Sequence, residues 1–239
     1  MVKTALITGG AKRLGKSMAE FLAAKGWNVI IHANNSSDEA QQLALDLHTK
    51  YPKLKFEAVK FNLSDWKNAT AFIDDILKNH SQIDLLINNA SKYSPGKLIE
   101  TNKDLLEEMM AIHYYSPLLL SKQLAVNTKS FSIVNILDSA IVNNKTDHSV
   151  YLMAKKSLAE FTKMAAVEWA PNIRVNAIAP GPVLPVEGKS QEVFNNVVKK
   201  TPLQTRVDLN SILSTLHFLI ENHNVTGQIM FCDSGQHLI

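Results

Sequence analysis

Short apolar, β-branched runs alternate along this chain with longer stretches whose apolar residues recur every three or four positions. The short runs predict strands at Thr4–Thr8, Asn28–His32, Lys55–Phe61, Leu85–Asn88, Ser132–Leu137, Arg174–Ile178 and Gln228–Cys232. The longer ones predict helices at Leu14–Lys25, Ser37–Tyr51, Trp66–Asn79, Lys103–Asn127, Tyr151–Ala170 and Asp208–Glu221. Repeated strand–helix alternation predicts an α/β fold with a parallel sheet of seven strands, covered by helices on both faces. Right-handed crossovers then make it a doubly wound, Rossmann-type domain. No Ser/Gly-rich linker, internal repeat or low-complexity tract divides the 239 residues, so 1–239 is expected to be a single domain.

Two segments break the alternation. Ser91–Asn102, after the fourth strand, contains Pro95-Gly96 and reads as a loop. Pro180-Gly-Pro-Val-Leu-Pro185 fits neither a regular helix nor a central strand, because proline lacks the N–H that both need. It leads into an amphipathic stretch, Ser190–Lys200, followed by Thr201-Pro202. Placed after the C-terminal end of a parallel strand, residues 182–205 can form a lid over a substrate. The alternative is a surface excursion without function.

Composition narrows the class. With 46% hydrophobic and 20% charged residues the chain can bury a core and is not disordered. A net charge of +3 is too small to imply a nucleic-acid surface. Cys232 is the single cysteine, so neither an internal disulfide nor a thiolate metal cluster can form, and it is expected to pack as a small apolar residue in the last strand. No His/Asp/Glu grouping has metal-ligand spacing. The strand pattern starts at Lys3 and no apolar run approaches the roughly 18 residues needed to span a bilayer, so a cytoplasmic protein without membrane attachment is expected.

Candidate chemistry concentrates at Asp138, Tyr151 and Lys155. Tyr151 and Lys155 stand four apart, on one face of a helix. An ammonium beside a phenol is expected to lower its pKa from about 10 and make it a usable proton donor. Asp138 follows a strand, thirteen residues before Tyr151. Asp in that place can simply cap a turn; a carboxylate beside the phenol can also accept a hydrogen bond from a substrate N–H.

The first strand–helix turn, Thr8-Gly-Gly-Ala-Lys-Arg-Leu-Gly15, is glycine-rich enough for backbone N–H groups to approach a pyrophosphate. After the second strand, Ile31-His-Ala-Asn-Asn-Ser-Ser37 has no acid to meet a ribose 2′-OH. Arg13 and Lys12, with Asn34, Asn35 and Ser36, can instead hold a 2′-phosphate, which predicts NADP(H) over NAD(H). His32 is expected near the adenosine.

Together these features resemble the short-chain dehydrogenase/reductase superfamily. The resemblance spans nearly the whole chain and rests on Thr8-Gly9…Gly15, Asn88-Asn-Ala90, Tyr151-x-x-x-Lys155 and Pro180-Gly181. It is most similar to the pteridine reductase branch, through Arg13, Ser91 in place of a glycine, Asp138 in place of a serine, and Tyr151-Leu-Met-Ala-Lys155. The resemblance implies cofactor contacts at Gly9, Lys12, Arg13, Leu14, Gly15, His32, Asn34, Asn35, Ser36, Asn62, Leu63, Asn89, Ala90, Ser91, Tyr151, Lys155, Pro180 and Gly181. It implies a pterin held by Ser91, Tyr93, Asp138 and Tyr151, with the Tyr93 ring stacked on it. It also implies a homotetramer. Two positions depart from the superfamily: His113 stands where an asparagine is thought to hold a relay water, and Asn62 replaces an adenine-side Asp.

The expected activity is NADPH-dependent reduction of a dihydropterin or dihydrofolate, with Tyr151 as proton donor. A carbonyl reductase, such as one for 3-oxoacyl thioesters, and a non-catalytic NADP-binding sensor are the alternatives.

Overall fold

In the computed structural model, which describes residues 2–185, 188 and 190–239, seven strands form one parallel sheet in the order β3-β2-β1-β4-β5-β6-β7. They are β1 (Thr4–Ile7), β2 (Asn28–Ala33), β3 (Phe56–Lys60), β4 (Leu85–Asn88), β5 (Phe131–Ile136), β6 (Ile173–Pro180) and β7 (Ile229–Cys232). Every predicted strand forms, within two residues of its predicted limits at each end. The order reverses between β1 and β4, the crevice where doubly wound sheets bind ligands beyond the carboxyl ends of their strands.

The strands alternate in side-chain direction, and both directions are apolar, as a sheet covered on both faces requires. Ala5, Ile7, Val29, Ile31, Leu85, Ile87, Val134 and Ile136 enter one core, beneath α1 (Arg13–Ala24), α2 (Ser37–Lys50) and α8 (Leu209–Glu221). Leu6, Ile30, Leu86, Ile133 and Val175 enter the other, beneath α3 (Ala69–Asn79), α5 (Ser116–Asn127) and α6 (Ser149–Glu168). Each fully buried Leu or Ile contributes about 1.5–3 kcal/mol, so register errors that turned one face outward would cost the fold dearly.

Three regions depart from the expected elements. The single helix expected over Lys103–Asn127 is α4 (Lys103–Met110) and α5 joined through a π-turn, Ala111–Tyr115. Pro117, in the first turn of α5, has no N–H to continue the ladder, and the wider turn relieves its clash with the preceding carbonyls. Pro180 does belong to a sheet strand. It is the last residue of β6, paired with Cys232, and the Gly181 N–H takes over the bond to the Cys232 carbonyl at 2.9 Å. Within the expected lid, residues 186, 187 and 189 lie outside the described residues; α7 (Gln191–Lys199) follows, capped by Ser190, and Thr201–Thr205 returns the chain to the body. No described helix is long and apolar enough to cross a membrane.

Candidate active site

The β1–α1 turn is built from backbone. Gly9 has φ +61, and a Cβ there would lie 2.9 Å from Ala90 Cα. A Cβ on Gly15 would lie 2.1 Å from the Gly9 carbonyl oxygen, so no side chain is tolerated there. The β4 turn locks this one in place. Asn89 Nδ2 donates to the Thr8 and Gly9 carbonyls at 2.9 and 3.0 Å, and the Asn89 and Ala90 N–H groups donate to Thr8 Oγ1. The first turn of α1 carries no acid and has no side-chain cap. Its N–H groups therefore face outward at the positive end of the helix dipole, a cradle suited to a phosphate.

His32 lies under this turn, not on its surface. It is 1% exposed; Nδ1 accepts from the Gly9 N–H at 3.1 Å, and Nε2–H donates to the Phe61 carbonyl at 2.9 Å. Both nitrogens are taken, and burial pulls its pKa down to about 4. The ring is thus a structural strut beneath the turn, with both nitrogens engaged by the backbone. Leu63 is likewise buried in the core, with its carbonyl accepting from Ser116 Oγ at 2.6 Å. Asn34 Nδ2 donates to Asn62 Oδ1 at 3.3 Å, linking the ends of β2 and β3, with Asn35 exposed beside them and Ser36 leading into α2. Lys12 pairs with Glu39 at 2.6 Å, both half-exposed, and Arg13 Nη2 donates to the Pro185 carbonyl at 2.7 Å. Leu14 is partly buried against the first core.

At the carboxyl ends of β5 and β6 lies a cleft of about 360 Å³, of a size suited to a bicyclic heterocycle. It brings together Asp138, Tyr151, Tyr93, Pro180 and Gly181. Tyr151 Oη–H donates to Asp138 Oδ2 at 2.9 Å. Asp138 Oδ1 accepts from the Ala140 N–H at 2.8 Å, so the turn-capping and phenol-binding readings of this carboxylate are both realised, one on each oxygen. Lys155, one turn along α6, is 2% exposed and donates from Nζ to the Ile136 carbonyl at 2.6 Å.

The electrostatics differ from the expected pattern. Burial, then the Asp138 charge and the hydrogen bond to it, hold the Tyr151 pKa well above 10; the Ser91 hydroxyl acts weakly the other way. The phenol's pKa is therefore raised, not lowered as expected. Burial pulls Lys155 itself down to about 8, against an upward pull from Asp138. Tyr93, half-exposed in the mouth of the cleft, is pushed up to about 12 by burial and then by Asp138 and Asp147.

Two aromatic rings pack against the Tyr151 ring. His113 and Tyr93 each meet Tyr151 edge-on, both with centroids 5.1 Å away. The π-turn puts His113 here. Its Nε2–H donates to the Lys92 carbonyl at 2.9 Å, which leaves Nδ1 as a bare lone pair, buried and with no hydrogen-bond partner among the described residues. Burial and then Lys155 pull its pKa down to about 3.

Sequence reading missed Ser139, His148, Phe194 and Gln236, which also line the cleft. His148 packs 4.0 Å from the Tyr93 ring. Its position one turn before Tyr151 was a usable signal. Gln236 carried none, because only the packing of 233–239 brings it to Ser139, in the turn after β5.

Residues 9–237 match the family described as enoyl-(acyl carrier protein) reductase. The chain is a short-chain dehydrogenase/reductase. It is 29% identical to pteridine reductase 1 of Leishmania tarentolae, over 98% of this chain and 96% of that one. It is 28% identical to the 2-dehydro-3-deoxy-D-gluconate 5-dehydrogenase of Formosa agariphila, over 98% and 92%. The crystal structure of FolM alternative dihydrofolate reductase 1 from Brucella canis, complexed with NADP, superposes with a TM-score of 0.94 at 32% identity, covering 99% of this chain and 94% of that one. Within this reductase fold, the Tyr151–Lys155 pair and its Asp138 partner occupy the ligand-facing edge of the sheet.

Proposed function

We propose that this oxidoreductase uses NADPH to reduce dihydropterins, among dihydrobiopterin, dihydromonapterin and dihydrofolate, to their tetrahydro forms. One observation carries the reading: the phenol of Tyr151 is hydrogen-bonded to a carboxylate, Asp138, at the wall of a cleft that also presents the Tyr93 ring.

The residues present fit a 2′-phosphorylated dinucleotide. The uncapped first turn of α1 and the side-chain-free approach of Gly15 to Gly9 suit the pyrophosphate. Arg13, Asn34, Asn35 and Ser36 suit the 2′-phosphate, with Lys12 shared with Glu39. Asn89, Ala90, Ser91, Pro180 and Gly181 flank the crevice beyond. When bound, the cofactor supplies the hydride.

The protein manages the proton. Its raised pKa keeps Tyr151 fully protonated at neutral pH, a reservoir at a fixed position. Asp138 fixes that position, and each of its oxygens retains a lone pair with which to accept a substrate N–H. A ring bearing N–H groups fits such an acceptor; a ketone oxygen facing the same carboxylate meets repulsion. The Tyr93 ring, which lines the cleft, suits a flat heterocycle, and the Ser91 hydroxyl lies within reach of the Tyr151 phenol. Lys155, buried and held by the Ile136 carbonyl, contributes an ammonium one helical turn along from Tyr151.

Kinship with a gluconate-type dehydrogenase keeps a second reading, carbonyl reduction with Asp138 standing in for serine. Dihydrobiopterin-dependent loss of NADPH absorbance, run beside an acetoacetyl thioester, separates them. Turnover of the pterin alone is expected. Turnover of the thioester alone would replace the proposal, and turnover of neither would favour a sensor. We include in the proposal a homotetramer joined through α5 and α6, where Met164 and Val167 are exposed; sedimentation of the intact protein tests it.

A further inference from the structure

The carboxylate of Asp138 is aimed by a very small structural unit. It caps the 3₁₀ turn Ser139–Val142 through the Ala140 N–H, so its direction follows wherever that turn lies. A turn of four residues has little cohesion of its own. Its internal support is the Ile141 and Asn143 N–H groups bonding back to Asp138 and Ala140 carbonyls at 3.2 and 2.9 Å.

Residues 236–239 hold both ends of this turn from outside. Ser139, 2% exposed, donates from Oγ to Gln236 Oε1 at 3.0 Å. Just beyond the turn, Asn143 Nδ2 donates to the Ile239 carbonyl at 3.4 Å. Gln236 is in turn fixed by a rigid neighbour. Asp233, 3% exposed, accepts from the Gly235 and His237 N–H groups at 3.1 and 2.6 Å and from His237 Nδ1 at 2.9 Å. The His237 ring stacks on Phe231 at 4.2 Å. Gly235, at φ +83, lies against Pro202, where an added Cβ would come within 3.0 Å. The same segment also holds residues 203–205. The Leu203 N–H donates to the Ser234 carbonyl at 3.1 Å, and Ser234 Oγ donates to the Thr205 carbonyl at 2.8 Å.

We propose that Gln236 is a positioning residue, which through Ser139 fixes the Asp138 turn and so sets the carboxylate to which the Tyr151 phenol donates. The hydrogen bond to Ser139 serves this purpose whichever way the Gln236 amide is turned, since a hydroxyl both donates and accepts. Its effect on turnover rests on the pterin reductase reading; its effect on Tyr151 does not.

The test therefore has two arms, with Gln236→Leu and Ser139→Ala removing opposite ends of one hydrogen bond. In protein labelled with ¹³C at the tyrosine ζ-carbon, the Tyr151 resonance is assigned by its loss in Tyr151→Phe, and Asp138→Asn gives the reference for a disturbed carboxylate. Each variant is expected to move that resonance toward the Asp138→Asn position. In the second arm, kcat for dihydrobiopterin is expected to fall about tenfold, well short of the roughly hundredfold that a 1 Å misplacement can cost. NADPH affinity stays unchanged. The double variant should be no worse than the weaker single one, because the two changes delete the same contact. An unmoved Tyr151 resonance in both variants, or additive losses in kcat, overturns the proposal. A wild-type protein that ignores pterins refutes the substrate reading alone, while the resonance still decides the role of Gln236.

Discussion

Replacing Lys155 by methionine should abolish turnover and yet stabilise the fold. The ammonium is 2% exposed, and burial lowers its pKa from the ordinary 10.5 to about 8. Below pH 8 the folded protein must carry that charge out of water. The gap of 2.5 between those values, at about 1.4 kcal/mol per unit, puts the penalty near 3 kcal/mol. Methionine keeps the length and apolar stem of lysine but gives up the bond to the Ile136 carbonyl, which costs about 1 kcal/mol. The net expectation at pH 7 is a gain of about 2 kcal/mol. The sign follows from linkage. Between pH 8 and 10.5 the unfolded lysine still binds a proton that the folded one has lost, so wild-type stability rises with pH across that window. The advantage of Lys155→Met should shrink from pH 7 and vanish by about pH 10. Guanidinium unfolding of both proteins at pH 7 and pH 10 measures it. A variant less stable than wild type at pH 7, or a difference that does not change with pH, would refute the claim that burial penalises this charge.

Three further outcomes are expected. Tyr151→Phe should lower kcat by about 10²–10⁴-fold with NADPH affinity intact, since it removes the proton and leaves the β1–α1 turn untouched; unchanged turnover in the absorbance assay would reject the proton-donor role. Arg13→Ala should weaken NADPH binding far more than NADH binding, measured by cofactor fluorescence, and equal losses would argue that Arg13 serves only its bond to the Pro185 carbonyl. His113 and His32 are held neutral at about 3 and 4. Their folded pKa values lie below the unfolded 6.5, so stability is lost as pH falls below 6.5, by a few kcal/mol from each. His113→Asn should flatten that acid limb in pH-dependent unfolding, and an unaltered limb would show that His113 does not carry it.

Periodicity in the chain was sufficient for the sheet. Ala5-Leu6-Ile7 and Val29-Ile30-Ile31 are apolar on both faces, and a strand buried on both sides needs that wherever it sits in the order. Spacing was sufficient for Tyr151 and Lys155, because a helix fixes what four residues apart means. The glycines of the first turn were legible for a similar reason, since a Cβ at Gly15 has nowhere to go.

What sequence could not supply was the balance of opposing effects at a point where distant segments meet. That the Tyr151 pKa is raised and not lowered depends on burial and on the 2.9 Å approach of Asp138, and neither exists before α6 packs against β5. His32 was expected near the adenosine, and only packing shows that the backbone engages both of its nitrogens. The π-turn that brings His113 edge-on to the phenol is a local answer to Pro117, but its partner lies on another helix. Gln236 is nearly a hundred residues from Ser139, and no pattern in either neighbourhood announces the bond. Local chemistry thus determined the strands, the turn and the phenol–ammonium pair, because each is set by neighbours in the chain. The protonation of that pair and the aim of its carboxylate were decided by tertiary contacts, because desolvation and hydrogen-bond geometry belong to the packed molecule.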